Sequence, residues 1–120
     1  MRVLLVDDES QFVEALAERL QLRGFEVLVA NDGAAALDLL ERDLVGLVVL
    51  DLRMPEMDGL EVLRRIKEKW PETQVIIATG HGDEEDRRKC LDLGAFAFLS
   101  KPVNITQLSG LLREAWSASS

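Results

Sequence analysis

The sequence predicts an α/β fold in which five strand-helix units, (βα)5, build a doubly wound, five-stranded parallel sheet. Three observations predict it. Short apolar runs recur at residues 3–6, 27–30, 47–50, 75–78 and 96–99, each too unbroken for a strand with one face in water, so five buried strands are expected. Between the runs, apolar residues recur at the spacing of a helix face. The 120 residues supply core enough for one domain and not for two.

Each unit carries its own signals. The run 3–6 leads into Asp7-Asp8-Glu9, and Val13, Leu16, Ala17 and Leu20 mark a first helix that Gly24 should stop. The run 27–30 ends at Asn31-Asp32, before a second helix marked by Ala36, Leu37 and Leu40. The run 47–50 ends at Asp51, and Asp58 with Glu61 forms a capping-box pattern ahead of Leu60, Leu63, Ile66 and Lys67. After 75–78 come Thr79-Gly80-His81 and then a segment, 83–93, whose only apolar residues are Cys90, Leu91 and Leu93. A helix there has little to bury and should be among the least stable elements. The run 96–99 passes into Ser100-Lys101-Pro102, and Asn104 with Gln107 caps a fifth helix marked by Ile105, Leu108, Leu111, Leu112 and Ala115. One domain spans 1–120, with 117–120 a frayed tail or the start of a linker.

Composition narrows the function. Hydrophobic residues at 48% and charged residues at 30% are those of a globular chain. No apolar run reaches the roughly 20 residues of a membrane span and no signal-peptide pattern is present, so a cytoplasmic protein without a membrane partner is expected. Cys90 is the single cysteine, which excludes an internal disulfide and fits a reducing compartment. It reads as a partly buried small apolar residue. Twenty-two acids against fourteen bases give a net charge of -8, so direct nucleic-acid binding is not expected. A dense acidic site suits a divalent cation instead.

In such a sheet, ligands bind beyond the carboxyl ends of the strands where strand order reverses. With the order 2-1-3-4-5, the ends carrying Asp7-Asp8-Glu9, Asp51, Thr79 and Lys101 meet in one crevice. Carboxylates that close either raise one another's pKa or hold a cation. Mg²⁺ fits, since it takes hard oxygen ligands from one or two carboxylates together with phosphate oxygens. Lys101 and Thr79 complete a phosphoryl site in which Asp51 is the nucleophile and an aspartyl phosphate the product.

The acidic pair Asp7-Asp8, the segment Leu50-Asp51-Leu52-Arg53-Met54-Pro55 followed by Asp58-Gly59, Thr79, and Lys101-Pro102 together resemble the receiver domain of two-component response regulators, over essentially the whole chain. The resemblance implies a flavodoxin-like fold. It implies that Asp51 accepts phosphate from a phosphohistidine of a sensor histidine kinase or phosphotransfer protein, in self-catalysed, Mg²⁺-dependent phosphorylation with slow autodephosphorylation. Asp8 and Asp51 would ligate Mg²⁺ directly, the backbone carbonyl of Arg53 would be a further ligand, and Asp7 would act mostly through water. Thr79 and Phe98 would be the switch pair, and the Lys101-Pro102 peptide would be cis. Phe98 stands where relatives often have tyrosine, so a signal through a phenolic hydroxyl is not available. The run 78–83 resembles receivers attached to ATPase-containing transcription activators or fused to sensor kinases. The fourth helix, fifth strand and fifth helix are the expected output face, toward an output domain or a second copy.

Simpler roles stand beside these. Asp58 reads as a helix cap, His81 as an exposed loop residue near the phosphoryl site, Arg53 as loop charge at the pocket mouth, and Trp70 and Trp116 as helix-end packing. A flavin mononucleotide carrier shares the architecture, but Asp7-Asp8-Glu9 would repel its phosphate. A small phosphatase with an aspartyl intermediate, and a degenerate receiver that signals without phosphate, remain as alternatives.

Overall fold

The computed structural model describes residues 1–119. Its elements alternate along the chain: β1 (Arg2–Val6), α1 (Ser10–Leu22), β2 (Glu26–Ala30), α2 (Gly33–Arg42), β3 (Leu47–Leu50), α3 (Gly59–Lys69), β4 (Gln74–Thr79), α4 (Glu84–Asp92), β5 (Ala97–Ser100) and α5 (Ile105–Ser119). All strand pairs are parallel and the sheet order is β2-β1-β3-β4-β5, as expected. Helix α5 continues through Ser117 to Ser119, and Ser120 lies outside the described residues.

Side chains along a strand alternate between faces, and the core divides accordingly. Leu4, Val6, Val48, Leu50, Val75 and Ile77 pack toward α2, α3 and the Cys90 side of α4. Val3, Leu5, Leu47, Val49, Ile76 and Ala78 pack toward α1 and α5. The expectation of five buried strands holds for β1, β3 and most of β4 but not for the edges. In β2 only Ala30 is fully buried and Val29 is 41% exposed; in β5 only Leu99 is buried. An edge strand has one neighbour, and the helices that cover the centre leave its outer side to water. An apolar run alone does not record how many neighbours a strand has.

The helix starts follow local chemistry. Asp58 Oδ1 accepts from the Glu61 amide at 3.0 Å, Asp32 Oδ1 from the Ala35 amide at 2.8 Å, and Asn104 Oδ1 from the Gln107 amide at 2.9 Å. At α3 the carboxylate of Glu61 turns outward to Arg64 and Arg65, so the cap is one-sided there. The reciprocal box forms at α4, where Asp83 accepts from the Asp86 amide and Asp86 from the Asp83 amide. Gly24 ends α1 with φ 91°, a left-handed conformation that glycine adopts without strain. The ring of Trp116 lies over Gly46, where an added Cβ would fall 2.8 Å from it.

Candidate functional site

The parallel sheet delivers its chemistry at one end. Beyond the strands, the ladder continues by one rung: Asp7 N donates to Ala30 O, Asp51 N to Val6 O, and Lys101 N to Thr79 O, at 3.1, 3.0 and 2.9 Å. These bonds fix where each side chain departs. Alternation sends Asp7 and Asp51 to the side of α1, where they border Phe12, Val13 and Leu16. Thr79 falls on the other side, with Phe98.

One carboxylate oxygen from each of Asp7, Asp8 and Asp51 lies within 4.8 Å of the others. Asp7 and Asp51 are each only 3% exposed, whereas Asp8 faces solvent. The Lys101 ammonium enters this group, with Nζ 2.8 Å from Asp7 Oδ2, 2.8 Å from Glu9 Oε1 and 3.6 Å from Asp51 Oδ2. It also lies 4.2 Å from the centroid of the Phe12 ring, a cation–π contact. Burial pushes the Asp7 carboxyl above its ordinary range and the nearby Asp51 charge adds to this, while the bonds from Lys101 and the Glu9 amide pull the other way. Burial works against the charged form of Lys101 too, but the bonds to Asp7 and Glu9 and the surrounding negative charge leave its pKa raised. The ammonium therefore stays protonated and compensates part of the acidic charge. Hard oxygen donors in excess over one lysine fit a divalent cation.

The remaining predicted residues surround this group. Arg53 N lies 3.4 Å from Asp51 Oδ1, and the Arg53 guanidinium reaches the His81 carbonyl at 3.4 Å. His81 N donates to Thr79 Oγ1 at 3.3 Å, and Thr79 is 1% exposed. The Lys101-Pro102 peptide is cis, as expected. Phe98 is partly buried, and a Cβ built on Gly82 would fall 2.3 Å from its Cζ and 2.9 Å from Thr79 Cγ2. Gly82 thus leaves the space in which ring and methyl meet. Cys90 is fully buried, not partly as expected, because α4 turns this residue onto the core.

Sequence reasoning missed Phe12 and Gly82 here, and it gave no role to Glu9, which it placed in the crevice, or to Gly59, which it named only within the motif. Gly59 lets α3 start against β3, since a Cβ there would meet Asp51 O at 2.3 Å and Leu52 Cα at 2.6 Å. The one available signal was at Glu9, which occupies an N-cap position where Ser, Thr, Asp or Asn is usual.

A family model described as a response regulator receiver domain matches residues 3–113. The transcriptional regulatory protein CpxR of Escherichia coli is 41% identical over 112 residues, which are 93% of this chain and 47% of CpxR. The transcriptional regulatory protein GlrR of the same organism is 42% identical over 85% of this chain and 23% of its own length. The chain thus spans about half or less of the length of these relatives. Among solved structures, a CheY-like response regulator receiver domain protein from Methanospirillum hungatei superposes with a TM-score of 0.94 at 29% identity, covering 98% of this chain and 94% of that one. NtrX from Brucella abortus superposes with a TM-score of 0.91 at 32% identity, covering 98% of this chain and 28% of that one. The strand order, the acids and lysine at the strand ends, and the match along nearly the whole chain agree, and this chain belongs to the receiver domains of two-component response regulators.

Proposed function

We propose that this receiver domain is a phosphoacceptor switch whose nucleophile is Asp51. One observation carries the reading: Asp51, nearly inaccessible, shares one end of the sheet with Asp7, Asp8 and an ammonium 3.6 Å from its Oδ2. An Asp51 carboxylate oxygen attacks the phosphorus of a phosphohistidine on a sensor histidine kinase or phosphotransfer protein. The P–N bond breaks, and its electron pair and a proton leave with the imidazole. Asp8, Asp51 and the backbone carbonyl of Arg53 would hold Mg²⁺, with Asp7 acting mostly through water. The ion's contribution is to neutralise charge on the phosphoryl oxygens. Lys101 takes a phosphoryl oxygen as a point charge and the Thr79 hydroxyl donates to another.

Thr79 drawn toward the phosphoryl group gives up its present contact with the Gly82 notch, and the Phe98 ring follows. The face of α4, β5 and α5 then shifts between two arrangements, toward an output domain or a second copy. The chain acts as a signalling domain with slow autodephosphorylation, not as a turnover enzyme. Its place is the cytoplasm; no described helix is long and apolar enough to cross a membrane, and the domain itself takes no nucleic acid.

Intact-mass spectrometry after incubation with acetyl phosphate and Mg²⁺ tests the assignment. One added phosphoryl group is expected on the parent and none on Asp51→Asn. Equal labelling of the two proteins overturns it.

A further inference from the structure

We propose that Glu9 is a positioning residue that holds the Lys101 ammonium and competes with the phosphoryl group for it; the proposal rests on Asp51 being the phosphoacceptor. An ammonium has three N–H donors and no more. In this structure three carboxylates face them, Asp7 and Glu9 at 2.8 Å and Asp51 at 3.6 Å. Only Asp7 and Glu9 accept hydrogen bonds from it, Asp51 lying just beyond that reach, so a phosphoryl oxygen on Asp51 competes for the ammonium with these two bonded carboxylates. Releasing Asp7 would leave a buried charge without its partner, which is costly. The Glu9 side chain is 61% exposed against 5% for Asp7, so it returns to water at little cost. Glu9 is the partner that lets go.

The local structure of α1 supports this use of the side chain. Glu9 is the N-cap residue, and its backbone carbonyl accepts from Val13 N at 3.0 Å, yet its side chain makes no capping bond. The carboxylate reaches across to a residue 92 positions away instead. Its own amide is bonded to Asp7 Oδ1 at 2.9 Å, so the backbone from which it reaches is tied to the acidic group. A shorter acid at this position would cap α1 and fall short of Lys101. The chain carries the longer one.

Affinity for beryllofluoride, a phosphoryl mimic, at saturating Mg²⁺ tests the competition, read by ¹⁹F NMR on the full chain. Glu9→Gln removes the charge at constant size and should tighten binding about two- to fivefold, the scale of a partly exposed ion pair. Glu9→Asp keeps the charge but loses the reach, and should tighten binding by a similar factor while raising the thermal midpoint through its new cap. Glu56→Gln, which removes the same charge from the β3–α3 loop, should bind like the parent. In a Lys101→Ala background, Glu9→Gln should change nothing. The proposal is overturned if Glu9→Asp binds like the parent, if Glu56→Gln matches Glu9→Gln, or if the Glu9→Gln effect survives without Lys101. A parent that binds no beryllofluoride overturns the phosphoacceptor reading and this proposal together; a parent that binds it with no response to Glu9 substitution overturns this proposal alone.

Discussion

Helices α3 and α4 begin alike and are held very differently. Each has an aspartate N-cap accepting from the amide three residues on, Asp58 at 3.0 Å and Asp83 at 2.9 Å. From there α3 buries Gly59, Val62, Leu63 and Ile66, whereas α4 buries Cys90 alone. Helix α3 also locks to the strand that carries Asp51: Gly59 N donates to Leu52 O at 2.9 Å, in a space no Cβ could share. Helix α4 follows Thr79 through Gly80, His81 and Gly82, two of them glycines. Capping decides where a helix starts, and burial decides how firmly it stays. The element beside the proposed nucleophile is anchored by four buried residues, and the element beside the proposed switch pair by one.

The largest expected effect breaks the comparison at its base. Ile66→Ala should cost about 2–5 kcal/mol in urea unfolding, as for deletion of a fully buried aliphatic side chain. Cys90→Ala, at the one buried position of α4, should cost roughly 1 kcal/mol. Equal losses would mean that α4 is anchored as deeply as α3.

A smaller effect uses Cys90 as a probe of α4. Burial pushes its thiol up to about 11, and Asp86 adds to the shift. A group whose folded pKa lies above its unfolded value loses stability as pH rises from the unfolded pKa to the folded one. The window therefore opens near pH ~8.5, the value of a free thiol, and closes at about 11. Alkylation of Cys90 should be slow at pH 7.5 and keep climbing by about tenfold per pH unit past ~8.5, where a free thiol levels off. A rate that levels off with the free thiol would show the cysteine already exposed.

The smallest effect sharpens the comparison. Asp58→Ala and Asp83→Ala each remove one cap, worth about 1 kcal/mol locally. In α3 the loss should appear in the global unfolding midpoint. In α4 it should appear mainly as faster amide exchange across residues 84–92, with the global midpoint nearly unchanged. Identical exchange patterns in the two variants would remove the distinction between the helices.

How much of this was legible follows from what periodicity encodes. The five strands, the two helix layers and the convergence of Asp7, Asp8, Asp51 and Lys101 were readable because alternating periods and parallel topology leave few arrangements. Asp58 and Asn104 were readable as caps because capping is local. The exposed outer sides of β2 and β5 were not readable, since the number of neighbours is a property of the whole sheet. Glu9 reaching Lys101 depends on rotamers of two long side chains far apart in the chain. The meeting of Phe98, Thr79 and Gly82 depends on a loop path that carries no period. At α3 the sequence pattern of a reciprocal cap yielded to Arg64 and Arg65, which claim Glu61 from within the same helix.

The division of the sheet end into two sides has a mechanical meaning. Asp7 and Asp51 leave toward α1, while Thr79 and Phe98 leave toward the α3–α4 side, and the hydrophobic layers beneath them are separate. The strands act as a partition between two packed layers that meet at its rim, where the acids stand on one side and Thr79 and Phe98 on the other. Work done at the acidic group need not pass through either packed interior to reach the α4 layer. Repacking the layer under α1, for instance at Leu16, which borders Asp7 and Asp51, would then tune the footing of the acids.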